Sequence, residues 1–458
     1  VQVVNDRGIA ICKSMLAWQK YGNGATPEST GIKGDHFVGD YYVLFEKKFR
    51  EEYGQWQESE KAESVFQSRK EADQSKKAFF KAFKQDYFNE FSQLGREAKR
   101  MLQQWEAGDP GTVALWEKMN SWVYEGFAET YDKLGVQFDK LYYESETYLL
   151  GKDLIEKGLR EGVFYQKEDH SVWADLSDVK LDQKLVLRSD GTSVYMTQDL
   201  GTAHRRYLDF GVDQMVYVVA DEQNYHFQVL FELLKRLKEP YADGLYHLAY
   251  GMVDLPTGKM KSREGTVVDA DDLIEEVIEE ARKNARERGT IAELSPEQQE
   301  EVIRKVGMAA LKFHILKVNP RKRMVFDPKE SVDLQGHTGP YVQNAYVRIR
   351  SVLRKAETAG LEKAKSYDVL EPIEKEMLSL LYAFPEQIRM AAGEYDPSHL
   401  ADYCYNLAKS YHRFWHEVSI LRAKTEAARA FRLKLSMAAG NVLEKGMDLL
   451  GIEMPQKM

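Results

Sequence analysis

The chain opens on a β-branched run, Val1-Gln2-Val3-Val4, breaks at the polar Asn5-Asp6-Arg7-Gly8 and resumes as an amphipathic stretch from Ile9 to Tyr21. Strand followed by helix is the pattern of a parallel sheet, here entered in mid-domain. Asn23-Gly24 and Thr26-Pro27-Glu28-Ser29 break the pattern. After Asp40-Tyr41-Tyr42-Val43-Leu44-Phe45 comes a proline-free stretch to about Trp105, dense in Glu, Lys, Gln and aromatics. There Phe79 with Phe83, and Phe80 with Tyr87, recur at helical spacings, which predicts long surface helices. Gly108-Asp109-Pro110-Gly111 ends them, and a further helix is expected from about Thr112 to Lys133. Short strands, one helix (about Gly151 to Gly158) and a hairpin-like Phe164 to Trp173 follow.

A second strand–helix block is predicted from Lys184-Leu185-Val186-Leu187-Arg188, the turn Ser189-Asp190-Gly191, the strand-like Ser193-Val194-Tyr195-Met196 and a helix from about Gln198 to Phe210. The near-continuous apolar run from Gln214 to Ala220 reads as a buried parallel strand. It ends in Asp221-Glu222-Gln223 and a helix from about Tyr225 to Lys238. His247 to Val253 reads as one more strand, ahead of a polar loop, Thr257 to Gly265. From Asp271 the period is helical nearly to the end.

Composition narrows the classes. A chain of 458 residues has room for about three domains. No run reaches the roughly 18 apolar residues of a membrane span, and no basic flank leads into an apolar stretch, so a cytoplasmic protein without membrane contact is expected. Cys12 and Cys404 are far apart and in no C-x-x-C spacing, which argues against a disulfide framework or a cysteine zinc site. A net charge of −9 excludes a uniformly basic nucleic-acid binder. The stretch from Gly336 to Met458 is nevertheless mildly basic, 17 Lys and Arg against 15 Asp and Glu, which permits a local polyanion contact.

Three places could carry chemistry. The loop Gly258-Lys259-Met260-Lys261-Ser262-Arg263-Glu264-Gly265-Thr266 combines three cations, two hydroxyls and two glycines, a composition suited to polyphosphate or to a merely solvated loop. It contains neither G-x-x-x-x-G-K-[ST] nor G-x-G-x-x-G. Tyr195 and Asp199, four residues apart, share a helical face, and Gln223 closes the next strand at the sheet edge where ligands bind. Ring, carboxylate and amide suit a guanidinium, while Asp199 also fits an ordinary helix N-terminus. In Gly339-Pro340-Tyr341-Val342-Gln343-Asn344-Ala345-Tyr346-Val347-Arg348, Tyr and Arg could stack on RNA bases or serve as core. His337, His412 and His416 show no metal-type pairing, and no metal site is expected.

Together these segments resemble the class I arginyl-tRNA synthetases. The stretches that carry the resemblance are Val4-Asn5-Asp6-Arg7-Gly8, the Gly34-Asp35-His36-Phe37-Val38-Gly39 turn, Tyr195-Met196-Thr197-Gln198-Asp199-Leu200 and Asp221-Glu222-Gln223 with His226-Phe227. The Lys259 to Thr266 loop, Thr338-Gly339-Pro340-Tyr341-Val342-Gln343 with Arg348, and the ending Leu449-Leu450-Gly451-Ile452 with Pro455 and Met458 complete it. The resemblance runs the length of the chain in the family's order.

It implies an α/β fold: a Rossmann-like parallel sheet split by a helical insertion, followed by an all-helical, anticodon-binding bundle. The expected divisions are 1–30 and 184–270 for the two catalytic halves, 31–183 for a mostly helical insertion, 271–335 for a linking helical segment and 336–458 for the bundle. The implied activity joins L-arginine to ATP, as its Mg complex, and passes arginine to tRNA(Arg) once that tRNA is bound. No tightly bound cofactor is implied, and a monomer is expected. By position, Tyr195, Asp199 and Gln223 would hold arginine. Lys259, Ser262 and Arg263 would be catalytic. Met252, Val253, Lys259 and Met260 would meet ATP, and Tyr341 and Arg348 the tRNA.

Two departures stand out. The family's His-x-Gly-His-type motif, which binds ATP, does not occur in the chain, so the front of the protein is expected to be missing and the chain inactive alone. The phosphate loop is a variant of Lys-Met-Ser-Lys-Ser, with Ser262 at the second lysine and Lys261 one place early. The rival readings are an enzyme of the same sheet type acting on another amino acid, and a non-catalytic tRNA-binding paralogue or scaffold.

Overall fold

The computed structural model describes residues 1–254, 256, 269–289, 291–358 and 369–458. They group into two compact units, Val1–Phe210 and the described residues from Gly211 onward.

In the first unit the strand Gln2–Val4 pairs in parallel with Leu141–Tyr143, Val3 opposite Tyr142. Between these neighbours in the sheet the chain makes a long helical excursion. Helix Ile9–Tyr21 packs against Gly34–Gln57, which packs against Pro110–Leu134. The Pro110–Leu134 helix starts where the Asp109 carboxylate accepts the Thr112 N–H and Pro110 sets the first turn. It ends at Gly135, in the left-handed region at φ 64°. The core of the excursion is aromatic: Phe45, Phe49, Tyr53, Phe80, Tyr87 and Phe88 are all buried. Residues 34–39, expected as a turn, instead open the 34–57 helix. Phe37, Phe45 and Phe49 fall on one face and are buried there, and that burial outweighs the local glycines.

A three-stranded antiparallel sheet of Tyr165–Gln166, Val172–Ala174 and Lys184–Leu187 follows. The strand-like Ser193–Met196 is not a strand. Ser193 makes one bridge to Leu187, and the helix Tyr195–Phe210 begins three residues earlier than expected, with the Thr197 hydroxyl accepting the Val194 N–H in its first turn.

The second unit holds another parallel pair, Met215–Ala220 with Leu245–Tyr250, linked by helix Asn224–Arg236. The expected strand from His247 to Val253 divides in two. Gly251 donates its N–H to the Pro320 carbonyl and leaves no room for a Cβ against the Lys322 backbone, and Val253–Asp254 then pairs with Met324–Val325. Helices Ala270–Arg288 and Pro296–Leu316 pack together. Helices Gly339–Thr358, Pro372–Glu394, Ser398–Glu417 and Glu426–Leu449 form the bundle, whose core includes Val342, Ile349, Met377, Leu407, Tyr411 and Leu443. The molecule thus has the expected class: parallel α/β pairs interrupted by helices, then an all-α bundle. Among the described residues no helix is long and apolar enough to cross a membrane. Cys12 and Cys404 are buried and unbridged, and burial pushes both thiols up to about 12, far from reactive thiolates.

Candidate active site

A cavity of about 680 Å³ opens in the first unit where the strand Gln2–Val4 gives way to Asn5–Gly8. Its walls include Arg7, Glu144, Tyr148, Arg188, Tyr195 and Gln198. Parallel pairing of 2–4 with 141–143 puts the carboxyl ends of both strands on one side, so Asn5–Arg7 and Glu144–Ser145 emerge together, the usual ligand edge of such sheets.

Asp6 is the anchor of this edge. It is buried, and its carboxylate accepts from the Tyr124 hydroxyl at 2.9 Å, the Ser145 N–H at 2.8 Å and the Ser145 hydroxyl at 2.6 Å, while Asn120 and Trp116 donate to its carbonyl. A carboxylate held by this many donors stays put, and it fixes the loop that carries Arg7. The Arg7 guanidinium stacks 4.0 Å from the Tyr148 ring centre and pairs with Glu106 at 2.6 Å.

The helix Tyr195–Phe210 brings Tyr195 and Asp199 to one face, one turn apart. Tyr195 is 74% exposed, a large side chain left uncovered at the mouth of the cavity, and Asp199 is half-buried. Glu144 was not singled out from sequence. Its carboxyl is held above the usual range, first by burial and further by the charges of Asp6 and Asp199, against an Asn5 amide hydrogen bond of 2.9 Å and the Arg7 charge. Glu144 lines the cavity and Asp199 is near enough for its charge to act on it, so the acidic field at this wall favours a cation. The acidic Glu144-Ser145-Glu146 directly after the strand-like Leu141-Tyr142-Tyr143 was the signal available in the sequence.

The remaining candidates lie in the second unit. Gln223 is exposed at the carboxyl end of the 215–220 strand, where it caps the 224–236 helix. Met252 accepts the Met324 N–H at 3.1 Å, and Val253 stands opposite Met324. Lys259, Met260, Ser262 and Arg263 lie outside the described residues. Tyr341 and Arg348 do come together, on the face between helices 339–358 and 398–417. The Arg348 guanidinium donates to His412 Nδ1 at 2.9 Å and lies 4.4 Å from the Trp415 ring centre. Tyr341 meets the rings of His412 at 4.9 Å and Tyr405 at 5.2 Å. His412 is pushed down to about 4, by burial first and then by the Arg348 charge. His412, Tyr405 and Trp415 thus join the two residues that sequence alone had suggested.

Comparison with known proteins bears on the family and the fold. Residues 51–327 match the family described as tRNA synthetases class I (R), catalytic domain, and residues 342–458 match the DALR anticodon binding domain. The arginine–tRNA ligase of Parabacteroides distasonis is 51% identical over 100% of this chain and 73% of its own length, and that of Porphyromonas gingivalis W83 is 50% identical over the same shares. Among solved structures, the Thermus thermophilus arginyl-tRNA synthetase superposes with a TM-score of 0.75 at 23% identity, covering 100% of this chain and 75% of that one. Plasmodium falciparum arginyl-tRNA synthetase gives 0.66 at 18% identity, covering 83% and 66%. The two structural likenesses speak for the fold, the sequence matches for the family.

Proposed function

The chain belongs to the class I arginyl-tRNA synthetases, and from that premise we propose that it serves the ligation of L-arginine to tRNA(Arg), as a monomer in the cytoplasm. The observation that carries the arginine half is the exposed Tyr195 ring and the Glu144 carboxyl, both lining the 680 Å³ cavity, with the Asp199 charge close enough to act on Glu144. A guanidinium is flat, permanently charged and donates in forks, so it accepts two carboxylates and an aromatic face at once. A neutral side chain would bring no charge to answer theirs, which argues against the rival substrate classes. Gln223 completes the arginine set in this reading.

The arginine carboxylate attacks the α-phosphorus of Mg-bound ATP. A P–O bond forms there, the bond to the β,γ-diphosphate breaks, and pyrophosphate leaves. Lys259, Ser262 and Arg263 stabilise the charge that develops on the phosphates, and Met252, Val253 and Met260 flank the nucleotide. A ribose hydroxyl of the terminal tRNA adenosine then attacks the activated carbonyl and AMP leaves. Tyr341 and Arg348, with Trp415, offer rings and a cation to the anticodon region.

Titration calorimetry tests the arginine site. L-arginine should bind, and citrulline, a neutral near-isostere, should bind at least tenfold more weakly. Asp199→Ala should weaken arginine binding by about 2–5 kcal/mol, roughly 30-fold to several thousand-fold. Equal affinity for arginine and citrulline overturns the assignment. For the 458-residue polypeptide assayed by itself we expect tRNA binding without arginyl adenylate. In-line attack needs preorganised groups on both sides of the nucleotide, and these residues supply those of the Lys259–Arg263 side. Arginine-dependent pyrophosphate exchange by this polypeptide would refute that expectation and move the ATP site elsewhere.

A further inference from the structure

Arg321, Lys322 and Arg323 stand side by side on the exposed turn that leads into the strand Met324–Val325. The turn is pinned at several points. Asn319 Oδ1 accepts the Arg321 N–H at 3.1 Å, and its carbonyl accepts the Lys322 N–H at 3.0 Å. The Asn319 amide donates to the Asp396 carboxylate at 2.6 Å, which ties the turn to the end of the 372–394 helix. Gly251 donates to Pro320 and lets the Lys322 backbone pack where a Cβ would clash. Beside the turn, Tyr246 and Tyr395 lie with ring centres 4.5 Å apart, Arg321 donates to the Tyr246 hydroxyl, and a cavity of about 310 Å³ opens between them. Tyr395 holds this place at φ 53°, a conformation that costs a non-glycine residue energy.

Among the described residues neither Lys322 nor Arg323 has a carboxylate partner, in a chain that carries 73 acidic residues against 64 basic ones. The nearby carboxylates are already engaged: Asp396 by Asn319 and Ser398, Glu394 by His399. Uncompensated cations on a flexible loop would be ordinary. On a turn held at this many points they form a preset, concentrated positive charge next to two half-buried tyrosines. Charge complementarity selects a polyanion, and the tyrosines suit a nucleic acid.

We propose that the Arg321–Arg323 turn is a phosphate-binding contact for the tRNA, separate from the Tyr341–Arg348 surface. The proposal rests on the tRNA reading of the previous subsection. Its test is filter binding of a transcribed arginine-acceptor tRNA to the full 458-residue chain at 50 and 200 mM salt. The variant is Lys322→Gln with Arg323→Gln, whose side chains hold no ion pair that folding would miss. Removal of two phosphate contacts should weaken binding about tenfold or more at 50 mM salt and lower the log–log salt slope by about two. Arg348→Ala is the comparison: it should weaken binding through the other surface. If the unaltered chain binds and the double variant matches it in affinity and slope, the turn is not a contact and the tRNA reading stands. If the unaltered chain does not bind at all, the tRNA reading fails and this contact with it.

Discussion

At Arg348 a guanidinium, an imidazole and an indole meet, and the hydrogen bond between the first two fixes the charge of the histidine. Arg348 can only donate, so His412 Nδ1 must be unprotonated to accept. Burial and the Arg348 charge, with His416 adding to it, bring His412 to about 4 against an ordinary 6.5. The unfolded chain therefore takes up a proton near pH 6.5 that the folded chain refuses until about pH 4. Stability should fall as pH drops through that window and stay flat, for this group, above it. His314 and His337 are shifted down by burial too and act in the same direction. The urea midpoint measured from pH 7.5 to 4.5 should decline, and His412→Gln should shrink the decline without abolishing it. A decline unchanged by the substitution would show that His412 is not held neutral.

Among elements, the contact of the Lys152–Arg160 helix with the Tyr195–Phe210 helix governs the arginine cavity. Gly151 sits at φ 93°, where side chains are strained, and a Cβ there would also strike the Thr197 carbonyl. Opposite it, a Cβ on Gly201 would run into the backbone of Leu150 and Gly151. The two glycines let the segment carrying Glu144 and Tyr148 lie directly against the helix carrying Tyr195 and Asp199. Gly201→Ala should force these apart, cost about 1–3 kcal/mol and weaken arginine binding. Gly39→Ala is the control, because nothing lies within 4 Å of its Cβ position in the 34–57 helix, so it should be neutral or stabilise by up to about 1 kcal/mol. Urea titration and arginine calorimetry on both variants decide the matter, and a harmless Gly201→Ala would mean the contact is looser than it looks.

At the scale of the molecule the question is where the helical domain begins. Its core does not stop at residue 336. Ala309 and Phe313, on the 296–316 helix, are fully buried in the same cluster as Val342, Ala345 and Leu443. Buried Gln343 donates to the Lys305 carbonyl at 3.1 Å and to the Glu453 carbonyl at 2.8 Å. A polypeptide of residues 336–458 would leave the Phe313 site empty and one amide hydrogen bond unmade. A polypeptide of residues 296–458 should therefore resist urea better, by about 3 kcal/mol or more. Equal midpoints would place the boundary at 336, where the family resemblance puts it.

What the sequence by itself determined is local. The run Gln214–Ala220 is apolar at nearly every position and became the parallel strand Met215–Ala220 of a two-stranded sheet, though not the buried strand expected, since Val216 and Val218 are exposed on one face. Phe79, Phe80, Phe83 and Tyr87 recur at helical spacings and became core. Tyr195 and Asp199 share a face because four residues make about one helical turn. Class and family were legible for the same reason: they are carried by short segments. Tertiary structure alone decided which distant segments meet. Glu144 lies 55 positions before Asp199 and reaches its field because the short helix Glu144–Thr147 packs against the helix Tyr195–Phe210. His412 lies 64 positions after Arg348, and the turn at 319–323 is tied to Asp396, 77 positions from Asn319. Residues 34–39 read as a turn by their glycines and became a helix once Phe37 had a core to enter. A local pattern constrains a few consecutive backbone angles, whereas closing loops of this length costs chain entropy that only burial of a common core repays, and that core exists only when the chain is folded.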